Sequence, residues 1–250
     1  MIHLITYGNS KYTNSKKRLY KEALESDWFK TISLFGPEDL DLDFKNKYKK
    51  ILKQPRIAGY GIWRPYIILK KLKELHDNDI LIYLDSGCTI NKIAKKRFNE
   101  YIDMLKNSNQ CIISFQMSFF PEKKYTTKEV FEYFNLDSNS EIANSGQILD
   151  GVLIMKKNKK LIEMINKWYE VIDYNPLLFT DYYNKNQNNY FVDNRHEQSI
   201  FSIIRKINGS VLLSDETWFE KFGEEKSLNY PFWATRIKDY KQIFIYLKIL

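Results

Sequence analysis

The run Ile-Leu-Ile-Tyr-Leu at residues 80–84 constrains this chain more than any other feature. A strand with one face in water alternates apolar and polar residues, whereas an unbroken apolar run of this length, bounded by turn residues, reads as a strand covered on both faces. The bounding residues are Asp77-Asn78-Asp79 before it and Asp85-Ser86-Gly87 after it. A chain that folds around such a strand needs helices above and below a sheet. It must also explain why a buried strand ends in a carboxylate and then a glycine.

The rest of the chain supplies the covering elements in alternation, with no internal repeat. Residues 3–8 and 28–35 read as strands. Residues 15–26 read as a helix with Ser15 as N-cap, and 64–75 as a helix with Pro65 in its first turn and Tyr66, Leu69 and Leu72 or Lys73 at helical spacing. Helices are expected over 92–106, 126–134, 160–172 and 195–207, and strands over 111–116, 151–157 and 210–215. The pattern predicts an α/β fold with parallel members and helices on both faces of the sheet.

Composition excludes several classes. A 44% hydrophobic, 16% aromatic chain of 250 residues has ample core material for a globular fold. The net charge of +8 suggests phosphate-bearing partners. The lysines nevertheless alternate with acidic and apolar residues, as in KKLKELHD and KKLIEMINKWYE, the pattern of solvated helix faces, so no nucleic-acid partner is expected. The N-terminal MIHLITYGNS lacks a basic leader and a long apolar run, and no segment approaches bilayer length, so a soluble protein made in a cytoplasm is expected. Cys88 and Cys111 are too few for a disulfide scaffold and read as reduced core thiols.

In open α/β sheets ligands bind beyond the carboxyl ends of the strands, where Asp85 stands. Gly87 permits close backbone approach or a sharp turn. Asp85 and Ser86 have an equally ordinary reading as turn formers.

The segment GYGIWRPYIILKKL (59–72) followed by DNDILIYLDSGCTI (77–90) resembles a family of GT-A-type glycosyltransferases from surface-glycan gene clusters of bacteria and large DNA viruses, in which a Gly-rich aromatic segment and Trp-Lys-Pro precede a strand ending in Asp-Ala-Gly-Cys. SGQILDGVLIMKKN (145–158) is similar to the family's Gln-containing turn into a strand, NRHEQSIFSIIRK (194–206) to its Arg-His-Asp-Gln helix start, and PFWATRIK (231–238) to its terminal aromatic and Arg segment. The likeness covers residues 2–238. It implies a single GT-A-like (Rossmann-like) domain over 1–238, with a mixed, mostly parallel central sheet flanked by helices. It implies transfer of a sugar from a nucleoside-diphosphate sugar to a glycan or other hydroxyl acceptor.

The resemblance distributes roles along the chain. Thr6, Tyr7 and Asn9 would meet the base and ribose, with Tyr7 either stacking on the base or serving as a core tyrosine. Trp63 would form an aromatic wall or a hydrophobic anchor, and Arg64, in place of the family's Lys, would fork onto phosphate. Asp85, Ser86 and Gly87 would contact the donor. Gln147, Asp150 and Gln198 would hold sugar or acceptor hydroxyls, although Gln147 and Asp150 also suit a turn. Glu197 would be the general base of an inverting transfer, or a first-turn helix residue only. A divalent cation, Mn²⁺ or Mg²⁺, would be held by Asp85 and His196 with water. The sequence departs from Asp-x-Asp, the usual GT-A signature, because Gly87 replaces the second carboxylate. Asp41 and Asp43 also spell Asp-x-Asp but precede a lysine-rich polar stretch and read as a solvated linker. Residues 239–250, with apolar residues among lysines, read as an amphipathic tail packing on the domain, a partner or a membrane surface. Two other readings are a nucleotidyltransferase acting on sugar nucleotides and a noncatalytic glycan-binding module.

Overall fold

Alternation along the inner strands divides the core into two halves. In chain order the strands are β1 (Ile2–Tyr7), β2 (Thr31–Phe35), β3 (Ile80–Leu84), β4 (Thr89–Ile90), β5 (Ile112–Pro121), β6 (Gly146–Ile148), β7 (Val152–Lys156), β8 (Val211–Ser214) and β9 (Phe232–Trp233). The longer helices are α1 (Thr13–Ser26), α2 (Trp63–Glu74), α3 (Lys95–Asn107), α4 (Lys159–Tyr174) and α5 (Glu197–Asn208). This computed structural model describes residues 1–237, so the segment 239–250 expected to form an amphipathic tail lies outside the described residues.

On one face Leu4, Ile80, Ile82, Leu84, Val152 and Ile154 pack with Leu19 and Ala23 of α1 and Phe98, Ile102 and Leu105 of α3. On the other face Ile5, Leu81, Tyr83, Leu153 and Met155 pack with Ile67, Ile68 and Leu72 of α2, Leu161, Ile165 and Trp168 of α4, and Ile200, Phe201 and Ile204 of α5. Trp168 and Phe201 stack with ring centres 4.0 Å apart, joining α4 to α5. The apolar run at 80–84 is thus covered on both sides, as its lack of alternation requires.

The main sheet is less parallel than expected. β1 pairs in parallel with β2 and β3, and β5 with β8, whereas β3–β7, β5–β7 and β5–β6 are antiparallel. β7 and β8 both pair with Ile113, and β6 and β8 both pair with Gln116, so β6 and β7 share one edge of β5 and β8 takes the other. The reversal comes from β7, which enters between β3 and β5 running against both. A small second sheet pairs β4 with β9.

Local differences have local causes. α1 starts at Thr13, and Ser15, expected as its cap, is buried and donates to the Ile237 carbonyl at 3.1 Å. β5 extends to Pro121 through a register shift against β6 between Met117 and Pro121. Asp41 caps a short helix (Leu42–Lys47) by accepting from the Phe44 N–H at 2.8 Å, which gives the acidic linker a structural task. Among the described residues no helix is long and apolar enough to cross a membrane.

Ile82 is fully buried in the sheet between α1 and α3. Ile82→Ala is expected to cost about 2–5 kcal/mol, measured as a lower urea midpoint at unchanged slope. A cost below about 1 kcal/mol would contradict the two-faced core.

Candidate active site

Antiparallel pairing of β3 with β7 sets the site. It places the carboxyl end of β3 beside the start of β7, with Leu84 opposite Val152 and the Asp85 N–H donating to the Gly151 carbonyl at 2.9 Å. Asp150 lies in the interruption between β6 and β7. Parallel β1 brings Tyr7, Gly8 and Asn9 to the same edge, and the first turns of α2 and α5 bring Trp63 with Arg64 and Glu197 with Gln198. Together they border a cavity of about 540 Å³, within the range of ligand sites.

Arg64 stands at its centre, 2% exposed. Its guanidinium pairs with Asp150, with Asp85 Oδ1 at 2.9 Å and with Glu197 Oε1 at 2.9 Å, and lies over the rings of Trp63 and Tyr83. The Tyr83 hydroxyl also donates to Asp85 Oδ1, at 2.5 Å. One guanidinium cannot neutralise three carboxylates. Burial accordingly raises the Asp150 and Glu197 carboxyls, Glu197 well above its ordinary value, against the pull of Arg64. Glu197 Oε2 is buried without a hydrogen-bond partner among the described residues. Asp85 is the half-exposed member of the group, and its Oδ2 takes no hydrogen bond among the described residues.

The segment before α2 carries unusual backbone. Ile57, Ala58, Gly59, Tyr60 and Gly61 have φ of 50°, 50°, 96°, 56° and 72°, a left-handed turn that costs about 1–2 kcal/mol for each residue with a Cβ. The Trp63 indole N–H fixes the turn by donating to the Ile57 carbonyl at 3.2 Å, and Arg56 ties it to Asp181 and Asp193. Gly61 is required twice over: by its φ, and because an added Cβ would lie 2.3 Å from Glu197 Cδ. The glycine therefore gives Glu197 the space to reach Arg64.

His196 borders the cavity but is already engaged. Its Nε2 lies 2.8 Å from Asp181 Oδ1 and its backbone has φ 58°; burial lowers its pKa, against the pull of the Asp181 carboxylate. Among the described residues no three His, Cys, Asp or Glu side chains are grouped to hold a metal ion. Asp85 Oδ2 is the unspent carboxylate oxygen at the strand end, so a cation there would take most of its ligands from a bound substrate and water.

The Asp85-Ser86-Gly87-Cys88 loop is clamped from beneath by Arg18, which donates to the Ser86 carbonyl at 3.1 Å and the Cys88 carbonyl at 2.7 Å. Above it crosses the segment Thr235–Ile237. The Thr235 hydroxyl and the Ile237 N–H donate to the Gly87 carbonyl at 2.8 and 3.0 Å, and a Cβ on Gly87 would lie 3.1 Å from the Cα of Arg236. Gly87 permits this crossing.

The other expected contacts divide. Asn9 and Gln198 border the cavity; Asn9 also caps a 3-10 turn by accepting from the Lys11 N–H. Trp63 and Tyr7 stack with ring centres 3.7 Å apart and are both buried, which matches the core readings of each at the cavity edge. Thr6 does not border the cavity, because its side chain shares the Leu4 face of β1. Gln147 is fully buried behind the wall, donating to Glu122 at 2.9 Å and accepting from Gln198 at 2.6 Å. Arg18, Arg56, Asp181, Arg195 and Arg236 were given no role by sequence. Arg195 and Arg236 lie within NRHEQSIFSIIRK and PFWATRIK, but an arginine's role follows from its partners, which spacing does not show.

Two outcomes follow from the crowding at Glu197. Gly61→Ala is expected to destabilise by more than about 1 kcal/mol, and by distinctly less in a Glu197→Ala background; an equal cost in both backgrounds would assign it to φ alone. The raised Glu197 carboxyl means that the folded protein keeps a proton the unfolded chain releases near its ordinary value of 4.5. Its stabilising contribution is fully present below that value and is lost as pH rises towards the folded pKa. Glu197→Gln should therefore gain stability relative to wild type as pH is raised from about 5 to 8, read by urea melts. Parallel pH curves would place the proton elsewhere.

No protein-family model matches the sequence, and no curated protein matches it. Among solved structures, a glycosyltransferase involved in the glycosylation of the major capsid of PBCV-1 aligns with 100% of this chain and 99% of its own, with a TM-score of 0.56 and 12% identity. The glycosyltransferase GlyE of Streptococcus pneumoniae TIGR4 aligns with 86% of this chain and 45% of its own, at a TM-score of 0.47 and 14% identity. Mouse xyloside xylosyltransferase 1 aligns over 87% of both chains, at a TM-score of 0.46 and 9% identity. At these identities the likeness is one of fold, and the first alignment, spanning both whole chains, carries it: this chain is a single α/β domain with a GT-A-like, mixed, partly parallel sheet flanked by helices.

Proposed function

We propose that the protein is a glycosyltransferase that moves a sugar from a nucleoside-diphosphate sugar to a hydroxyl of a glycan. The observation that carries this reading is the Asp85–Arg64–Asp150–Glu197 cluster facing a cavity at the carboxyl edge of β1 and β3. The GT-A-like fold, carried by the full-length alignment with a glycosyltransferase involved in capsid glycosylation, supports it. The unpaired, buried Cys88 and Cys111 suit work in a reducing cytoplasm.

In this reading the chain's own groups divide the labour. Asp85 Oδ2 contacts the donor, and when a divalent cation binds, this oxygen is the protein ligand that would help it neutralise the leaving diphosphate. Arg64 holds Asp150 and Glu197 in place and keeps water from them by filling the space between. Glu197 accepts the acceptor's proton in an inverting transfer. Its raised pKa makes it a stronger base than an ordinary carboxylate, and it acts once deprotonated.

The test is turnover of a panel of sugar nucleotides with and without Mn²⁺. Asp85→Asn should preserve the melting temperature, because Arg64 retains Asp150 and Glu197, and should lose donor binding or metal-dependent turnover. Glu197→Gln should retain donor affinity and slow transfer by about 10²–10⁴-fold. A rate within about threefold of wild type would end the general-base role, and retention of anomeric configuration, seen by NMR, would remove the need for a base. Binding of glycan without hydrolysis or transfer from any donor would end the transferase reading.

A further inference from the structure

We propose that Arg195 and Arg236 form the binding site for the donor's diphosphate and hold it without a divalent cation. The proposal rests on the nucleotide-sugar reading above. Four arginines border the cavity: Arg56, Arg64, Arg195 and Arg236. Arg56 is paired with Asp181 and Asp193, and Arg64 with its three carboxylates. Arg195 and Arg236 make no ion pair among the described residues.

Each is nonetheless held in position. The Arg195 guanidinium lies 4.3 Å from the ring centre of Phe120 and 4.2 Å from that of Tyr125, and Nη1 makes a weak contact to Met117 Sδ at 4.0 Å. Its backbone N–H donates to the Tyr125 carbonyl and to Ser199 Oγ, both at 3.1 Å. Aromatic faces stabilise the charge without consuming the N–H edge, so the donors remain free for an anion. Arg236 is exposed, with φ 57°, on a segment pinned at both sides by the Gly87 carbonyl and tied through Thr235 to Thr89 Oγ1 at 2.9 Å. Two planar forks suit the paired oxygens of a diphosphate.

Gly87 connects this pair to the departure from Asp-x-Asp. A second carboxylate at that position would hold an ion, but its Cβ would press on the Arg236 backbone at 3.1 Å. The chain has given that space to the segment carrying a guanidinium. The backbone of a cavity-lining arginine thus occupies the space that the second carboxylate of the usual signature would need.

The experiment is calorimetric titration of the full chain with inorganic pyrophosphate and with UDP, GDP, ADP and CDP, in EDTA and in Mn²⁺. At least one diphosphate should bind in EDTA within about threefold of its Mn²⁺ affinity, and Arg236→Ala and Arg195→Gln should each weaken it by about tenfold or more. Arg236→Lys, which keeps charge and loses the fork, should fall between. Arg236→Ala alters an exposed side chain, so it decides the matter even where Arg195→Gln fails to fold. Strict dependence of binding on Mn²⁺, absence of diphosphate binding in EDTA, or an Arg236→Ala affinity within threefold of wild type would overturn the proposal. Arginine-dependent diphosphate binding without sugar transfer would leave this site standing and remove the transferase reading. Transfer that requires Mn²⁺ and ignores both arginines would do the reverse.

Discussion

The buried guanidinium of Arg64 is the interaction on which the site depends. Taking an arginine out of water costs several kcal/mol unless carboxylates and hydrogen bonds compensate. Here the compensation comes from the end of β3, the β6–β7 interruption and the first turn of α5. Arg64 therefore joins, only through the fold, partners 86 and 133 positions away in sequence, and a shift of either element would break a contact with the guanidinium. The excess of carboxylate over guanidinium has a second consequence. At least one carboxyl in the group is driven towards its protonated form, and burial selects Glu197 most strongly.

Much of this architecture was legible, for reasons that differ by element. The strand at 80–84 and the helix at 160–172 announce themselves because burial on two faces or on one helical stripe leaves a periodic mark. The direction of β7 leaves no such mark. A fully buried strand reads the same whether it runs parallel or antiparallel, so the expected excess of parallel pairing was not a property that pattern could supply. The same limit explains Thr6 and Gln147. Adjacent residues on a strand point to opposite faces, and the sequence places Thr6 and Tyr7 together while the pleat separates them.

The left-handed turn at 57–61 marks a different limit. Gly59 and Gly61 signal backbone freedom, but Ile57, Ala58 and Tyr60 argue against positive φ, and tertiary contacts reinforce the turn's own backbone hydrogen bonds to hold them there. Those contacts are the Trp63 indole and the Arg56 ion pairs, all at the cavity wall. With His196 also at positive φ, unfavourable backbone is concentrated where the side chains converge. A wall that tolerates these angles is one whose side-chain positions matter more than its local stability.

Charge is not spread evenly over that wall, and its gradient gives the cavity a direction. The inner part, around Asp150 and Glu197, is buried and internally paired through Arg64. The outer part carries the half-buried Arg195 and the exposed Arg236, whose N–H groups are not committed to carboxylates. An elongated ligand with a doubly charged centre and an uncharged, hydroxyl-bearing end is thereby oriented by electrostatics before any specific contact forms. In the proposed reading its phosphates would meet the outer cations and its neutral end the inner carboxylates, where hydroxyl groups could be accepted without adding charge to a site that already has too much. The reverse orientation would press phosphate against Asp150 and Glu197. Asp85, half-exposed at the end of β3 and paired with Arg64, is the carboxylate of the cluster that a ligand in the cavity can reach most readily.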